Sequence, residues 1–131
     1  MSRVAPIAVD QLAAAIGLGD RELVSLVGGG GKTTALFALG RQLPKPVVLT
    51  TTTKMGRSRT GGHEPLFDPD DASLATALAD RGSALVWRAE AAERAEGVDP
   101  ERCDRWFNTG WNVVVEADGS RRMPFKAPAD Y

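Results

Sequence analysis

The sequence predicts an α/β fold of three layers, in which helices cover both faces of a mostly parallel sheet of about four strands. Short apolar runs alternate with helical segments along the chain, the pattern of consecutive βαβ units. The first apolar run ends at four glycines followed by Lys-Thr-Thr. The length of 131 residues suits one modest core, so we expect a single domain over residues 1–131.

The first half of the chain contains two predicted helices and two predicted strands. Asp10–Ile16 has a capping residue and one apolar face, and Lys32–Leu43 has apolar residues at helical spacing before Pro44 ends it. Glu22–Val27 and Val47–Thr50 are short apolar runs that suit strands buried on both faces.

The second half repeats this alternation. A helix is predicted from Asp68, as cap, with Pro69 in first position, to Gly82, and another from Asp99-Pro100-Glu101 to near Gly110. The predicted strands are Ala84–Trp87 and Trp111–Glu116. Arg88–Gly97 fits a helix, a hairpin or a loop.

Composition narrows the classes of partner. Hydrophobic residues make up 43% and charged residues 25% of the chain, as in folded globular domains. The formal net charge of −1 gives no reason to expect nucleic acid or a membrane as partner. The single cysteine, Cys103, fits a reducing compartment, and no apolar run approaches the ~18 residues of a membrane span. We therefore expect a cytoplasmic protein.

The glycine run predicts a phosphate-binding loop of the P-loop NTPase kind. Gly28, Gly29, Gly30 and Gly31 allow several backbone N–H groups to approach one anion, and the helix after them adds its positive end. Lys32 supplies a charge for the β- and γ-phosphates, and the Thr33 hydroxyl is placed to hold Mg²⁺, with Thr34 completing the motif. We expect ATP or GTP together with Mg²⁺, and nothing in the sequence selects the base.

The loop is shorter than the Walker A pattern G-x-x-x-x-G-K-[ST]. That pattern requires a glycine at position 26, which is Leu26 here. The spacing G-x-x-G-K-T-T is closer to the loop of Mur-type amide ligases.

Two acidic residues follow the last predicted strand. Glu116 ends the strand and Asp118 comes two residues later, where an acid of a P-loop protein holds Mg²⁺ directly or through water. We favour Glu116 as the metal-side acid, and Asp118 is the competing candidate because Asp-Gly is also a common turn dipeptide. Lys32, Glu116 and Asp118 are the predicted catalytic residues.

A threonine run closes the second strand. Thr51, Thr52 and Thr53 could contact the γ-phosphate, Mg²⁺ or an attacking water, with Lys54 beside them. The alternative is that threonine is simply common in strands and at helix caps. The three motifs support one another, because each follows an apolar strand and the carboxyl ends of parallel strands meet at one edge of the sheet.

Three stretches of the sequence also resemble a known family. LVSLVGGGGKTT, LTTTTKM and VVVEADGSRRMPFKAPADY together resemble the YqeC family of selenium-dependent hydroxylase accessory proteins. The resemblance implies a P-loop protein linked to maturation of selenium-dependent molybdenum hydroxylases. It implies as site segments Gly28–Thr34, Thr51–Lys54, and Glu116–Arg121 with Lys126. Members of the family are longer, so we expect a shortened version of the family fold.

Three functions are compatible with these motifs. The leading hypothesis is an Mg²⁺-dependent protein that hydrolyses a nucleoside triphosphate or transfers its γ-phosphate while a molybdenum hydroxylase or its cofactor-handling proteins are matured. The second is a nucleotide-gated binding module with negligible turnover. The third is a Mur-like ligase, suggested by the short loop alone.

Overall fold

The computed structural model describes residues 11–28 and 31–117 and shows an α/β fold built on one parallel sheet. The helices are α1 (Leu12–Ala15), α2 (Lys32–Gln42), α3 (Asp71–Arg81) and α4 (Pro100–Thr109). The strands are β1 (Leu23–Leu26), β2 (Val47–Thr51), β3 (Lys54–Gly56), β4 (Leu66–Phe67), β5 (Ser83–Trp87), β6 (Ala89–Ala91), β7 (Arg94–Glu96) and β8 (Asn112–Glu116).

The central sheet has five strands in the order β1-β8-β2-β5-β4, and every neighbouring pair is parallel. Four of these strands correspond to the predicted ones. The fifth, β4, consists of the two residues Leu66–Phe67 at one side of the sheet, which is too short to produce a periodic pattern in the sequence.

Helices cover both faces of this sheet, as predicted. On one face Leu39 of α2 packs in a core with Leu49 of β2. On the other face Leu74 of α3 and Trp106 of α4 pack with Val48, the neighbour of Leu49 along β2. Successive strand residues thus enter opposite cores, so the central strands are apolar on both faces. Each fully buried aliphatic side chain contributes roughly 1.5–3 kcal/mol.

A second, smaller sheet joins β3, β7 and β6 in antiparallel order. Of the helix, hairpin and loop that the sequence allows for Arg88–Gly97, the structure shows the hairpin, formed by β6 and β7. Met55 and Ala95 are buried, and the Trp87 indole N–H donates to the Met55 sulfur at 3.4 Å. The small sheet is therefore packed on the main core beside the end of β5.

The cap of α3 differs from the prediction. Asp70, and not Asp68, is the N-cap: its carboxylate accepts a hydrogen bond from the backbone N–H of Ser73 at 2.7 Å. Asp68 has a φ of 48° and binds Arg102 at 2.7 Å, and Pro69 precedes the helix. Hydrogen bonds from Ser73 lower the pKa of Asp70 below its ordinary value of 3.8.

The first helix also differs from the prediction, because α1 has Gln11 as its N-cap, without a side-chain hydrogen bond, and Asp10 lies outside the described residues. The predicted start of α4 and the predicted ends of α3 and α4 are confirmed. Asp99 caps α4 by accepting from the Glu101 N–H at 3.0 Å, and Pro100 is the first helical residue. Gly82 and Gly110 end α3 and α4. No helix among the described residues is long and apolar enough to cross a membrane.

Asn112, the first residue of β8, fastens the amino edge of the sheet. Its side chain is 3% exposed. Its Oδ1 accepts from the Glu22 N–H at 2.6 Å, and its Nδ2 donates to the carbonyls of Asp20 at 3.0 Å and Pro44 at 2.8 Å. The segments that enter β1 and β2 are thereby tied to β8.

Candidate functional site

The carboxyl ends of β1, β8 and β2 lie side by side. Leu26 pairs with Glu116, and Glu116 pairs with Thr51 on the other side. The contacts continue past the strands, where the Ala117 N–H donates to the Leu26 carbonyl at 2.9 Å and the Thr52 N–H donates to the Glu116 carbonyl at 3.0 Å. The structure thus brings the glycine loop, the threonine run and Glu116 to one edge of the sheet.

The glycine loop connects β1 directly to α2. Gly28 and Gly31 have φ angles of 107° and 92°, which side-chain-bearing residues rarely adopt. Gly31 precedes α2, whose first turn has no side-chain cap and no acidic residue. No side chain of residues 11–28 or 31–117 caps the N–H groups at the amino end of α2, and these groups together with the positive dipole end favour an anion. Gly29 and Gly30 lie outside the described residues.

Thr33 and Glu116 meet across this edge. The Thr33 hydroxyl, in the first turn of α2, donates to Oε2 of Glu116 at 2.7 Å. Glu116 is the last residue of β8 and is 5% exposed. A hydroxyl has one proton and two lone pairs, so this bond leaves the lone pairs of Thr33 available to a cation. The contact thus joins two hard oxygen donors beside an end of a helix suited to phosphate.

The oxygens of Thr33 and Glu116 suit Mg²⁺ better than a metal ion whose ligands all come from the protein. Among residues 11–28 and 31–117, no group of three or more His, Cys, Asp or Glu side chains could hold a metal ion. Mg²⁺ commonly takes only one or two protein oxygens and completes its shell with water and substrate phosphates. Asp118, the competing acid, lies outside the described residues.

Thr51 is used inside the fold. It is 0% exposed, its hydroxyl donates to the Glu116 carbonyl at 3.1 Å, and it accepts from the Thr53 N–H at 3.1 Å. Thr50, also buried, donates to the Val86 carbonyl at 2.6 Å. Thr52 and Thr53 are half-buried at the same edge. The two earlier threonines therefore fix the shape of the segment that carries the two later ones.

Gly97 covers this segment, a feature that the sequence reasoning missed. A Cβ atom on Gly97 would lie 2.5 Å from the Thr51 carbonyl oxygen and 2.6 Å from the Thr53 nitrogen. Directly after it, the Val98 N–H donates to the Thr51 carbonyl at 2.8 Å. Only a residue without a side chain lets the chain after β7 approach so closely, but a glycine that ends a hairpin has no other mark in a sequence.

The remaining predicted residues are more exposed. Lys32 is half-buried at the start of α2, Thr34 is exposed, and Lys54 is exposed on β3. Lys32 forms no ion pair with any residue that the structure describes. Arg57, which follows β3, pairs with Glu90 of β6 at 2.7 Å.

The resemblance also implies two basic residues near the end of the chain, namely Arg121 and Lys126. They lie outside the described residues, as does most of the Glu116–Arg121 segment implied by the resemblance.

The segments that form this site also match known proteins. The chain is 35% identical over 135 residues to a protein of Escherichia coli K12 named uncharacterized protein YqeC. The match covers 94% of this chain and 52% of that protein, so the chain spans about half the length of this curated relative. No solved structure matches the chain. The family model described as YqeC protein matches residues 24–131, which include the glycine loop, the threonine run and Glu116. The chain therefore belongs to the YqeC family.

Proposed function

We propose that this protein binds a purine nucleoside triphosphate with Mg²⁺ at the carboxyl edge of its sheet, and hydrolyses it or transfers its γ-phosphate. The observation that carries the proposal is the 2.7 Å hydrogen bond from Thr33 to Glu116 at the uncapped start of α2. A helix end without a ligand is ordinarily capped by a side chain, and the start of α2 is not. A buried carboxylate with a purely structural role ordinarily has several hydrogen-bond partners, and the Glu116 carboxylate has one among the described residues.

Each residue then has a role that follows from its chemistry. The N–H groups of Gly28–Gly31 and the start of α2 surround the phosphates, and Lys32 neutralises their charge. Thr33 and Glu116 are the groups that would hold Mg²⁺, with Asp118 as the alternative acid. Mg²⁺, when bound, offsets negative charge on the phosphate oxygens. Thr52, Thr53 and Lys54 order the reacting end, while Thr51 positions them.

The cellular role is proposed from the family resemblance. We propose a cytoplasmic accessory protein that acts in maturation of selenium-dependent molybdenum hydroxylases, with the hydroxylase or one of its cofactor-handling proteins as partner. The proposed domain is the single P-loop unit over residues 1–131. The chain spans about half the length of its relative, so the role, the partner and the domain assignment are all part of this proposal.

Calorimetric titration of ATP and of GTP, each with Mg²⁺, tests the nucleotide site. Wild type is expected to bind one of them at micromolar affinity, and Lys32→Ala to bind it about 100-fold more weakly, the effect of removing a charge that contacts phosphate. Lys45→Ala is the matched control, because it removes the same charge at an exposed position before β2, at the opposite edge of the sheet. Equal affinities for all three proteins would contradict the proposal.

A second candidate function is a nucleotide-gated binding module with negligible turnover. Glu116 is buried and already bonded to Thr33, so this carboxylate is poorly placed to activate water. Phosphate release measured with saturating nucleotide separates the two functions. Steady release that Glu116→Gln abolishes supports the enzyme, whereas tight binding without release supports the module.

A further inference from the structure

A polar pocket lies at the amino edge of the sheet, away from the glycine loop. Its volume is about 380 Å³, within the roughly 300–1,000 Å³ of small-molecule sites. Ser83, the first residue of β5, pairs with Val47, the first residue of β2, so the pocket is at the end of the strands opposite to the proposed nucleotide site. Its lining comes from the loop between β3 and β4, the end of α3 and the start of β5, namely Gly62, His63, Glu64, Arg81 and Ser83.

The loop that carries His63 is packed against α2. Gly61 lies so close to Phe37 of α2 that a Cβ atom on Gly61 would be 2.4 Å from the Phe37 ring. The His63 imidazole stacks on the same ring, with the ring centroids 5.7 Å apart and the planes at 24°. Phe37 is itself part of the core and is 7% exposed. The imidazole is therefore held against a well-packed surface of the fold.

The hydrogen bonds of His63 define its tautomer. Nδ1 lies 3.1 Å from the Thr60 carbonyl oxygen, and because a carbonyl can only accept, Nδ1 carries the proton. In a neutral imidazole the other nitrogen is then an acceptor, and Nε2 lies 3.0 Å from Oγ of Ser83. The Ser83 hydroxyl therefore donates to Nε2. A serine, a base within hydrogen-bond reach of it and a third group that orients the base form the arrangement of an activated nucleophile.

The other groups that line the pocket are available to a substrate. Arg81, the last residue of α3, is exposed and forms no ion pair with a residue that the structure describes, and the same holds for Glu64. The Gly62 N–H makes no hydrogen bond to another described residue. Arg81 and Gly62 thus offer donors to an oxygen that becomes negatively charged. The lining contains no aliphatic residue within the described part of the chain, so it suits a short, polar group.

We propose that Ser83 and His63 form a nucleophilic pair that hydrolyses a small ester of a short, polar acid. Oγ of Ser83 attacks the ester carbonyl while Nε2 of His63 takes the hydroxyl proton, and Arg81 and the Gly62 N–H stabilise the oxyanion. The bond from the carbonyl carbon to the alcohol oxygen breaks, and the alcohol leaves with the proton from His63. Water then gives a proton to His63 and attacks the acyl group, which leaves as the acid while Ser83 recovers its proton. This activity is independent of the proposed nucleotide site.

Covalent labelling of the full chain with diisopropyl fluorophosphate, followed by mass spectrometry of its peptides, tests the pair. Oγ of Ser83 is expected to displace fluoride and gain a diisopropyl phosphoryl group, with release of HF. Ser83→Ala should abolish this adduct. His63→Gln can still accept a hydrogen bond from Ser83 but cannot take its proton, and it should slow labelling about 100-fold. Ser58→Ala, which removes an exposed serine of the same loop, is the matched control and should label at the wild-type rate.

Release of nitrophenolate from p-nitrophenyl esters tests the class of substrate. The acetate ester is expected to be cleaved about tenfold faster than the octanoate ester, because the lining offers no apolar surface to a long chain. Arg81→Gln should lower kcat/KM for the acetate ester about 100-fold, whereas Arg41→Gln, at an exposed position near the end of α2, should leave it unchanged.

Three results would overturn the proposal. The first is folded wild type without an adduct at Ser83, which decides the matter even if a variant fails to fold. The second is equal labelling of wild type and a His63→Gln variant whose thermal unfolding matches wild type, since the hydrogen bond would then have only a structural role. The third is cleavage of the acetate ester that Ser83→Ala retains in full.

Discussion

The two edges of the central sheet both carry buried polar side chains, but they differ in how completely these are paired. At the amino edge, Asn112 exchanges three hydrogen bonds with backbone groups, all at 3.0 Å or less. At the carboxyl edge, Glu116 receives one described bond on its carboxylate, from Thr33. The helix that starts there has no side-chain cap.

This difference separates a polar group that holds the fold from one that is available to a ligand. The Asn112 amide makes three of its four possible hydrogen bonds, all to backbone groups, and it carries no charge with which to hold a cation. A carboxylate, a hydroxyl and an uncapped helix end with unused bonding capacity are stable together only if water or a ligand completes them. Substitutions at the two edges should therefore affect different quantities.

The largest loss of stability is expected at the amino edge. Asn112→Ala leaves the Glu22 N–H and the carbonyls of Asp20 and Pro44 without their partner and should lower the free energy of unfolding by about 3 kcal/mol. Urea unfolding followed by tryptophan fluorescence measures this. Asn108→Ala, at an exposed position of α4, should change it by less than about 0.5 kcal/mol. An Asn112 variant as stable as wild type would remove the contrast between the edges.

A smaller loss is expected where the two sheets meet. Gly97→Ala forces a Cβ atom against the backbone of the threonine run and should cost about 2 kcal/mol. It should also weaken nucleotide binding, because Thr52 and Thr53 must shift. Gly19→Ala is the control, since its nearest contact would be 3.5 Å from the Glu22 carboxylate. A Gly97 variant that loses stability but keeps full nucleotide affinity would show that the run is not part of the site.

At the carboxyl edge, function should change more than stability. Thr33→Val removes one partly buried hydrogen bond, at a cost of about 1 kcal/mol, and should abolish the dependence of nucleotide affinity on Mg²⁺. Thr33→Ser retains the hydroxyl and should preserve that dependence. Titration of nucleotide with Mg²⁺ and with EDTA measures the effect. Loss of Mg²⁺ dependence in both variants would contradict a role for the hydroxyl.

The smallest effect concerns the cap of α3, away from both edges. The pKa of Asp70 is lower in the folded state, so the charged carboxylate stabilises the fold above its ordinary value of 3.8, and this stabilisation disappears as pH falls through the folded pKa. Asp70→Asn still caps the helix but does not titrate. Its stability relative to wild type should therefore be slightly lower near pH 6 and equal at strongly acidic pH. A difference independent of pH, measured by thermal unfolding, would contradict this assignment.

Much of the fold was predictable because its strands are buried on both faces. β2 and β8 are continuous apolar runs bounded by proline, glycine or helix caps, and these signals are local in the sequence. The second sheet was not predictable, because β6 and β7 have only three residues each. Their sequences, Ala-Glu-Ala and Arg-Ala-Glu, contain no large apolar or β-branched residue that would indicate a strand. The choice between Asp68 and Asp70 as cap likewise depends on backbone angles that the Asp-Pro-Asp-Asp string does not determine.

The segments that form the candidate site were predictable from the sequence. Which of their side chains stabilise the fold and which remain available to a ligand was not predictable. The βαβ pattern predicts a parallel sheet whose ligands bind at the carboxyl edge. It does not predict that the strands lie in the order β1, β8, β2. That Thr51 turns inward while Thr52 remains at the edge depends on the register with β8, which no local pattern specifies. Gly97 reaches the site from about 45 residues further along the chain, a separation at which sequence spacing carries no information.

The pairing of β1 with β8 has a mechanical consequence. Four register pairs and the bond from the Ala117 N–H to the Leu26 carbonyl join the strand before the glycine loop to the strand that ends in Glu116. The threonine run leaves from β2 and is held from outside by Gly97 and Val98, on the small sheet's connection. A ligand that displaced the threonine run would therefore also displace the chain at Gly97, and with it the end of the β6–β7 hairpin.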